Sequence, residues 1–547
     1  MLLTADQMQA VDACAVAQGI DSFKLMCTAG RAVSALAAEL KTDTNSRILV
    51  LAGPGNNGGD GFIAATELAK RCYKVCVLHF SSHSSFNQHA TDDAERALST
   101  WSGQTLHYCL SDTSKHAASN NTDFDAVASP DNATTQTVNE PVANQEIAEH
   151  ISNADLIIDA LFGAGLSRPL SGLLASTVEL VNRASAVILA VDVPSGLDGN
   201  THNVHGPCIA ADSTITFFRY KPAHFLYPGR ALCGEKTLVQ IGLSEEQMDS
   251  RWLPCHVNEP KRFLQHLPVL SPTGHKFDRG HVLVRSGPVE STGAARLSAS
   301  TELNCGAGLV TLATSDEALI VNAAHLTAVM LKRCNNQEQW QAILRDKRIS
   351  TVLVGPANGV DYETQHCVLS ALSSAKHCVL DADALSCWPE DEDKQILFQC
   401  LLSARHTAVL TPHAGEFTRL FEDDFSTNDR GAQVSRLNQA LAAADYSRAI
   451  VVYKGADTVI ASPDGRSCIN TNAPAWLGTA GSGDVLAGLI ASLIAQHMPA
   501  FEASCAAVWL HGRAAATLGY PMNAEQLLTQ LPEELKLLIN EKAGVRP

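Results

Sequence analysis

Gly53-Pro54-Gly55-Asn56-Asn57-Gly58-Gly59-Asp60-Gly61 lies between an apolar run, Arg47–Ala52, and a helical stretch, Phe62–Arg71. A short β-branched strand, a glycine-rich turn and a helix form the repeating unit of an open parallel α/β sheet. Gly53, Gly55 and Gly58 satisfy the G-x-G-x-x-G spacing of a dinucleotide loop. That reading also needs a carboxylate about 20 residues on, at the end of the next strand, to hold a ribose hydroxyl. The next apolar run, Lys74–Phe80, ends instead in His79-Phe80. The loop therefore reads as a phosphate- and cation-facing turn. Main-chain amides at a helix N-terminus face the phosphate, and Asn56, Asn57 and Asp60 supply side-chain oxygens. Further along, Ala154–Ala160 and Ala186–Val193 are apolar enough to be buried strands of the same sheet.

A chain of 547 residues exceeds the roughly 250–300 at which a single hydrophobic core stops growing, so at least two domains are expected. Composition shifts twice. Residues 111–144 turn to Ser, Thr, Asn, Asp and Ala with little periodicity, as a surface insertion would. Leu243–His275 collects Pro and His without a clean strand, which places a boundary there and gives domains of 1–245 and 255–547. A second α/β series follows in His281–Ser286, Leu309–Ala313, Thr351–Gly355, His377–Asp381, Ala408–Thr411 and Ala449–Tyr453, with a long helix at Asp484–Ala495. The two halves do not repeat one another. The first reads as a Rossmann-like three-layer α/β/α domain and the second as a different α/β domain.

A formal charge of −17 argues against nucleic acid and anionic membrane as partners, because both need positive surface. The 16 cysteines contain no C-x-x-C pair and no zinc-like spacing with His, so they read as scattered core thiols. Thr4-Ala5-Asp6-Gln7 is a capping box, followed by Met8, Val11 and Ala15 on one face of an acidic amphipathic helix, which is no signal peptide. No run reaches the ~20 apolar residues of a spanning helix. A cytoplasmic homo-oligomer acting on a small molecule is the expectation.

Two more strands of the first half end in acidic loops, Asp159-Ala160-Leu161-Phe162-Gly163-Ala164-Gly165 and Asp192-Val193-Pro194-Ser195-Gly196-Leu197-Asp198-Gly199. Parallel strands present their carboxyl ends along one edge, so Asp60, Asp159 and Asp192 are expected to converge there. Each alone would be read as a helix cap. With Asn56–Gly61, and with Leu25–Gly30 and Phe217–Pro222 nearby, these loops resemble the NAD(P)H-hydrate epimerase family from about Thr4 to Gly242. The resemblance implies potassium at Asn57, Asp159 and Ser195. It implies contacts to a hydrated nicotinamide nucleotide from Asn56, Asn57, Gly58, Gly59, Asp60, Gly163, Ala164, Gly165, Leu166, Ser167, Arg168, Pro169 and Asp192. Asp192 would be the base that inverts the hydrated carbon.

In the second half, Thr479-Ala480-Gly481-Ser482-Gly483-Asp484 precedes the late helix. Free amides at that end suit a migrating phosphoryl group, and an adjacent Asp suits removal of a proton from an attacking hydroxyl. Lys454-Gly455-Ala456-Asp457-Thr458, Thr411-Pro412-His413-Ala414-Gly415-Glu416 and Asp381-Ala382-Asp383 all follow buried strands. Together with Thr292–Leu297, Gly306–Val310 and Asn472–Leu477, these runs resemble the ribokinase-like fold, in its ADP/ATP-dependent NAD(P)H-hydrate dehydratase branch, from about Gly280 to Ala515. By that resemblance Ala294, Gly359, His413 and Asp484 contact the hydrate, with Asp484 as catalytic base. Lys454, Gly455, Ala456, Asp457, Thr458 and Gly483 would hold ADP, accompanied by Mg2+. Gly355-Pro356-Ala357-Asn358-Gly359 and Leu326–Met330 depart from the family pattern. Two other readings stay open: a ribokinase-like vitamin kinase in the second half, and a non-catalytic binding module in the first.

Overall fold

The computed structural model describes residues 1–82, 92–110, 140–166, 168–204, 206–421, 425 and 434–544. The chain divides into two compact units, Met1–Trp252 and Leu253–Pro547. Residues 111–139 of the expected insertion, and Ser167, lie outside the described residues.

The first unit is built on seven parallel strands: β1 (Arg47–Ala52), β2 (Lys74–Ser82), β3 (Gln104–Leu110), β4 (Leu156–Ala160), β5 (Val187–Val191), β6 (Ser213–Phe217) and β7 (Glu235–Val239). Their order is β3-β2-β1-β4-β5-β6-β7. Side chains alternate across a strand, and β1 is apolar at both phases because both faces are covered. Ile48 and Val50 pack with Val33, Phe62 and Leu68 from helices Ser22–Leu40 and Asn56–Lys70. Leu49 and Leu51 pack with Ile147, Val178 and Val181 from helices Glu140–Ser152 and Gly172–Asn182. The order reverses direction between β1 and β4, which opens the crevice where such sheets take ligands. At the N-terminus, Thr4 and Gln7 form the reciprocal cap of helix Ala5–Ala17, with Met8, Val11 and Ala15 buried.

The second unit carries ten strands: β8 (Cys255–Val257), β9 (His281–Arg285), β10 (Leu309–Thr314), β11 (Met330–Arg333), β12 (Thr351–Val354), β13 (His377–Leu380), β14 (Ala408–Leu410), β15 (Ile450–Tyr453), β16 (Val459–Ala461) and β17 (Ser467–Ile469). The order is β11-β10-β9-β12-β13-β14-β15-β16-β17-β8, parallel through β15 and antiparallel at β15–β16 and β16–β17. Helix Ser482–Ala495 is buried at every position from Val485 to Ala495. A helix apolar all round must be enclosed all round. It packs in one core with β12, β13 and helices Thr292–Asn304 and Ala500–Leu518. A Cβ at Gly488 would stand 2.5 Å from the Ser298 carbonyl oxygen, so glycine sets how closely the two helices approach.

Four expectations need correcting. Leu243–His275 does contain a strand, β8, three residues long and stabilised only by pairing with β17. Glu140–Asn144, read as part of the insertion, opens helix Glu140–Ser152. The late helix begins at Ser482 rather than Asp484. Finally, the helix after β1 begins at Asn56, not Phe62, and absorbs Asn-Asn-Gly-Gly-Asp into its first turns. Those glycines serve packing: a Cβ on Gly58 would lie 1.9 Å from the Gly53 carbonyl oxygen, and one on Gly61 2.8 Å from the Ala160 methyl. The Gly59 amide is spent inside the helix on Gly55, so the phosphate-facing amides are fewer than the sequence suggested.

Candidate active sites

In the first unit Asp159 and Ser195 form a buried clip below the crevice. Ser195 donates to Asp159 from its main-chain N–H (2.8 Å) and its Oγ (2.6 Å), and the Leu161 N–H reaches Oδ1 at 3.3 Å. Asp159 is fully buried, and burial pushes its carboxyl up to about 6 against those hydrogen bonds. The Ser195 hydroxyl also meets the Phe162 carbonyl oxygen at 3.1 Å and accepts from the Phe162 N–H at 3.0 Å. The clip ties the loop after β4 to the loop after β5.

Asp192 stands above it with a positive φ of 69°, a conformation that non-glycine residues adopt at a cost. Its carboxylate pairs with the Lys221 ammonium and accepts from the Thr216 hydroxyl (3.0 Å) and the Ala164 N–H (3.1 Å). His224 Nε2 lies 2.8 Å from the Asp192 carbonyl oxygen. Burial alone would raise this carboxyl, but the Lys221 charge and hydrogen bond, with the Ala164 N–H, hold it below the ordinary carboxylate value. Asp60 goes the other way: burial, then the charges of Asp192 and Asp12, hold it well above that value. Asp12, from the N-terminal helix, is pushed up to about 6 by burial, with Lys221 opposing and Asp192 adding. Around Gly163, a Cβ would lie 3.2 Å from Asp192 Oδ2 and 3.4 Å from Asn57 Oδ1. Asn57, Gly163, Ala164 and Asp192 are thus brought together. Gly165, Arg168 and Pro169 are exposed and Leu166 half-buried. Gly58 and Gly59 are buried in the helix start, where Asn56 is the first residue.

Lys221, Thr216 and His224 escaped sequence reasoning, although all three are at most 2% exposed. The signal was a lysine in the Phe217–Pro222 run that leads out of β6; once buried, such a charge survives only with a partner.

In the second unit the Lys454 ammonium lies 2.6 Å from Asp381 Oδ1, which also accepts from the Thr411 hydroxyl at 2.6 Å. Gly481, with φ +86°, caps helix Ser482–Ala495, and a Cβ on Gly483 would stand 3.6 Å from Lys454 Nζ. Lys454 therefore reaches the glycine turn itself. Asp484 occupies the helix's first turn, and the Ser298 hydroxyl holds its carbonyl oxygen at 2.9 Å. Burial and the charges of Asp381 and Asp383, opposed by Lys454, push the Asp484 carboxyl up to about 7. The Asp383 carboxylate accepts from the Gly359 N–H at 2.8 Å.

His413 Nδ1 accepts from the Gly415 N–H (3.0 Å), and its own N–H donates to Glu416 (2.8 Å). Glu416 Oε1 lies 3.3 Å from His413 Nε2, and Oε2, which takes the His413 main-chain N–H, is 3.9 Å from Lys454 Nζ. Ala294 lies one turn before Ser298, which anchors to both the Ala294 and Asp484 carbonyl oxygens. The atypical Asn358 stitches its own loop, accepting from the Gly355 N–H at 2.8 Å and donating to the Arg285 carbonyl at 2.9 Å. Among the described residues, no group of three or more His, Cys, Asp and Glu is set to hold a metal ion, and no helix is long and apolar enough to cross a membrane.

Each unit thus places a lysine-held aspartate at the carboxyl edge of a parallel sheet, which defines a two-domain α/β enzyme with two separate sites. Residues 22–223 match the family model for the YjeF-related protein N-terminus, and residues 282–536 match that for NAD(P)H-hydrate dehydratase. The bifunctional NAD(P)H-hydrate repair enzyme of Thermofilum pendens is 32% identical, covering 95% of this chain and 93% of its own. That of Moorella thermoacetica is 31% identical, covering 99% and 97%. This chain belongs to that family, the bifunctional NAD(P)H-hydrate repair enzymes. A solved ADP/ATP-dependent NAD(P)H-hydrate dehydratase from Bacillus subtilis, co-crystallised with ATP and Mg2+, aligns over 52% of this chain and 98% of its own, at 24% identity and a TM-score of 0.45.

Proposed function

We propose that the first unit interconverts the R and S epimers of hydrated NADH and NADPH, and that the second dehydrates the S form at the expense of ADP, releasing AMP and phosphate. The observation that carries this reading is an aspartate placed beside a buried lysine at each sheet edge. Asp192 is bonded by Lys221 next to Gly163 and Ala164, and Asp484 lies in the first turn of the helix behind the Gly481–Gly483 turn that Lys454 reaches.

The hydrated carbon C6 carries a hydroxyl and the ring nitrogen, and inversion requires one of its bonds to open and re-form on the other face. Asp192, fixed by Lys221, Thr216 and the Ala164 N–H, takes and returns the proton that moves in that step. Asn57, Gly163 and Ala164 border the same carboxylate and orient the ring. Asn57, Asp159 and Ser195 would hold potassium: Asn57 Nδ2 is buried without a partner, and turning that amide by 180° would put an acceptor oxygen in its place. When bound, the ion supplies a fixed positive charge toward the nucleotide.

In the second unit Asp484 removes the proton of the C6 hydroxyl as its oxygen attacks the terminal phosphoryl group of ADP. The Gly483 amide and the Lys454 ammonium, which reaches that glycine, would face the charge that develops. Phosphate then leaves C6 as a proton leaves C5, and the ring double bond returns. Hydroxide is a poor leaving group and phosphate a good one, which is why nucleotide is consumed. Mg2+ would arrive on the nucleotide's own phosphate oxygens, as it commonly does.

The test is a turnover assay on an R/S hydrate mixture. Full recovery of NADH absorbance with ADP supports both activities. Recovery of the S fraction alone removes the epimerase assignment, and recovery with ATP only removes the donor assignment.

A further inference from the structure

Arg436 is the first residue of helix Arg436–Ser447, whose cap Ser435 accepts from the Asn438 N–H at 3.1 Å. Its guanidinium lies 3.9 Å above the Tyr453 ring, and Tyr453 stacks on Phe417 at 4.1 Å with the rings 9° apart. The side chain is thus held as the outer layer of a buried three-layer stack. From there Nη2 donates to the Lys454 carbonyl oxygen and lies 3.4 Å from that of Tyr453, while Nε is 3.7 Å from Asp457 Oδ1. Gly455 completes the arrangement, because a Cβ there would stand 2.5 Å from Nη2. An alanine at Gly455 would therefore have to push the guanidinium out of its place.

A guanidinium stacked on a ring and bonded to a carbonyl fixes the plane of that peptide, because its donors form a rigid fork. With the Lys454 carbonyl turned toward Arg436, the next N–H is turned away. It donates to the Thr458 hydroxyl at 3.1 Å, which returns a hydrogen bond to the Gly455 carbonyl at 2.9 Å. The same fixed peptide directs the Lys454 side chain to Asp381 and the Gly483 turn.

We propose that Arg436 is a positioning residue for the adenine nucleotide, clamping the Lys454 peptide so that the Lys454 ammonium is held at the Gly483 turn, where the phosphates are seated. This rests on the reading of Lys454–Thr458 as the nucleotide loop. The clamp sets nucleotide affinity and leaves hydrate binding alone.

The test is calorimetric titration of the full chain with ADP and Mg2+, alongside steady-state kinetics. Arg436→Ala is expected to weaken ADP binding about tenfold or more, with KM for the hydrate and the epimerisation rate within about twofold of wild type. Arg436→Lys keeps the charge without the fork and is expected to lose ADP affinity as well; if the alanine variant melts early, this variant carries the test. Gly455→Ala should weaken ADP binding in the wild-type background but add little in the Arg436→Ala background, where the space has been vacated. ADP affinity within about twofold of wild type in Arg436→Ala or Arg436→Lys, or full additivity with Gly455→Ala, would overturn the proposal. If the wild type itself binds neither ADP nor ATP, the nucleotide reading of the loop fails, and Arg436's role with it.

Discussion

Both units bury a lysine against an aspartate at the carboxyl edge of the sheet, yet they use the pair differently. Lys221 bonds the proposed base itself, Asp192, and lowers its affinity for a proton. Lys454 bonds a neighbour, Asp381, and leaves Asp484 among carboxylates with its proton affinity raised to about 7. Asp192 is thus the weaker base, and Asp484, raised by burial and then by Asp381 and Asp383 against the opposing Lys454, is the stronger. A proton that is taken and handed back suits the first. A proton taken from an alcohol during phosphoryl transfer suits the second, because a base works best with its pKa near the operating pH.

The contrast can be broken most severely at the bases. Asp484→Asn should lower the dehydratase kcat by about 10²–10⁴-fold while epimerisation, followed by chromatography of the two hydrates, is unchanged. Asp192→Asn should do the reverse, slowing R-to-S conversion by about 10²-fold or more with dehydration of pure S hydrate intact. Cross-loss in either variant would erase the separation of the two sites.

The pH dependence sharpens the comparison. A base must be ionised to act, so dehydratase kcat/KM should fall by about tenfold per unit as pH drops below the Asp484 value of about 7. Asp192 should add no acid limb to epimerisation over that range, where Asp12 and Asp159 titrate near 6. Lys221→Met removes the charge that keeps Asp192 ionised, so Asp192 should then add an acid limb of its own. A profile unchanged from wild type in that variant would mean that Lys221 only packs.

The smallest effect concerns stability. Glu302, fully buried with both carboxylate oxygens unpartnered, is held well above its ordinary 4.5 by burial. The folded state therefore keeps a proton that the unfolded chain releases. The stability this gives is complete below about 4.5 and declines as pH rises toward the folded value. Glu302→Gln should raise the melting temperature of the second unit by about 2–4 °C at pH 8 and by less at pH 5; an equal shift at both would refute a titrating Glu302.

The strands buried on both faces were readable because Ile48–Ala52 or Val282–Val284 run apolar without interruption. Strand β6, Ser213–Phe217, is fully buried yet alternates Ser, Thr and Thr with Ile and Phe; its polar residues are satisfied through folding, as Thr214 is by the Cys233 carbonyl at 2.7 Å. Three-residue strands such as β16 and β17 are too short to show a period. The site divides along the same line. Asp192 and Lys454 sit in loops, and Asp484 in the first turn of a helix behind a glycine turn, whose local chemistry is legible. Lys221 pairs with Asp192 across 29 residues, and Lys454 pairs with Asp381 across 73. Such pairings exist only once the sheet has formed, so spacing along the chain could not announce them.

The glycines around β1 carry a lesson for interpreting natural variation. A methyl group at Gly53 would sit 1.8 Å from the Leu161 oxygen, and one at Gly61 2.8 Å from Ala160. Neither residue needs to meet a coenzyme for an alanine there to be harmful, since the whole helix bearing Asn57 and Asp60 would have to slide. Alleles at such positions will look innocuous by chemistry and distance from substrate, yet behave as losses of the repair activity.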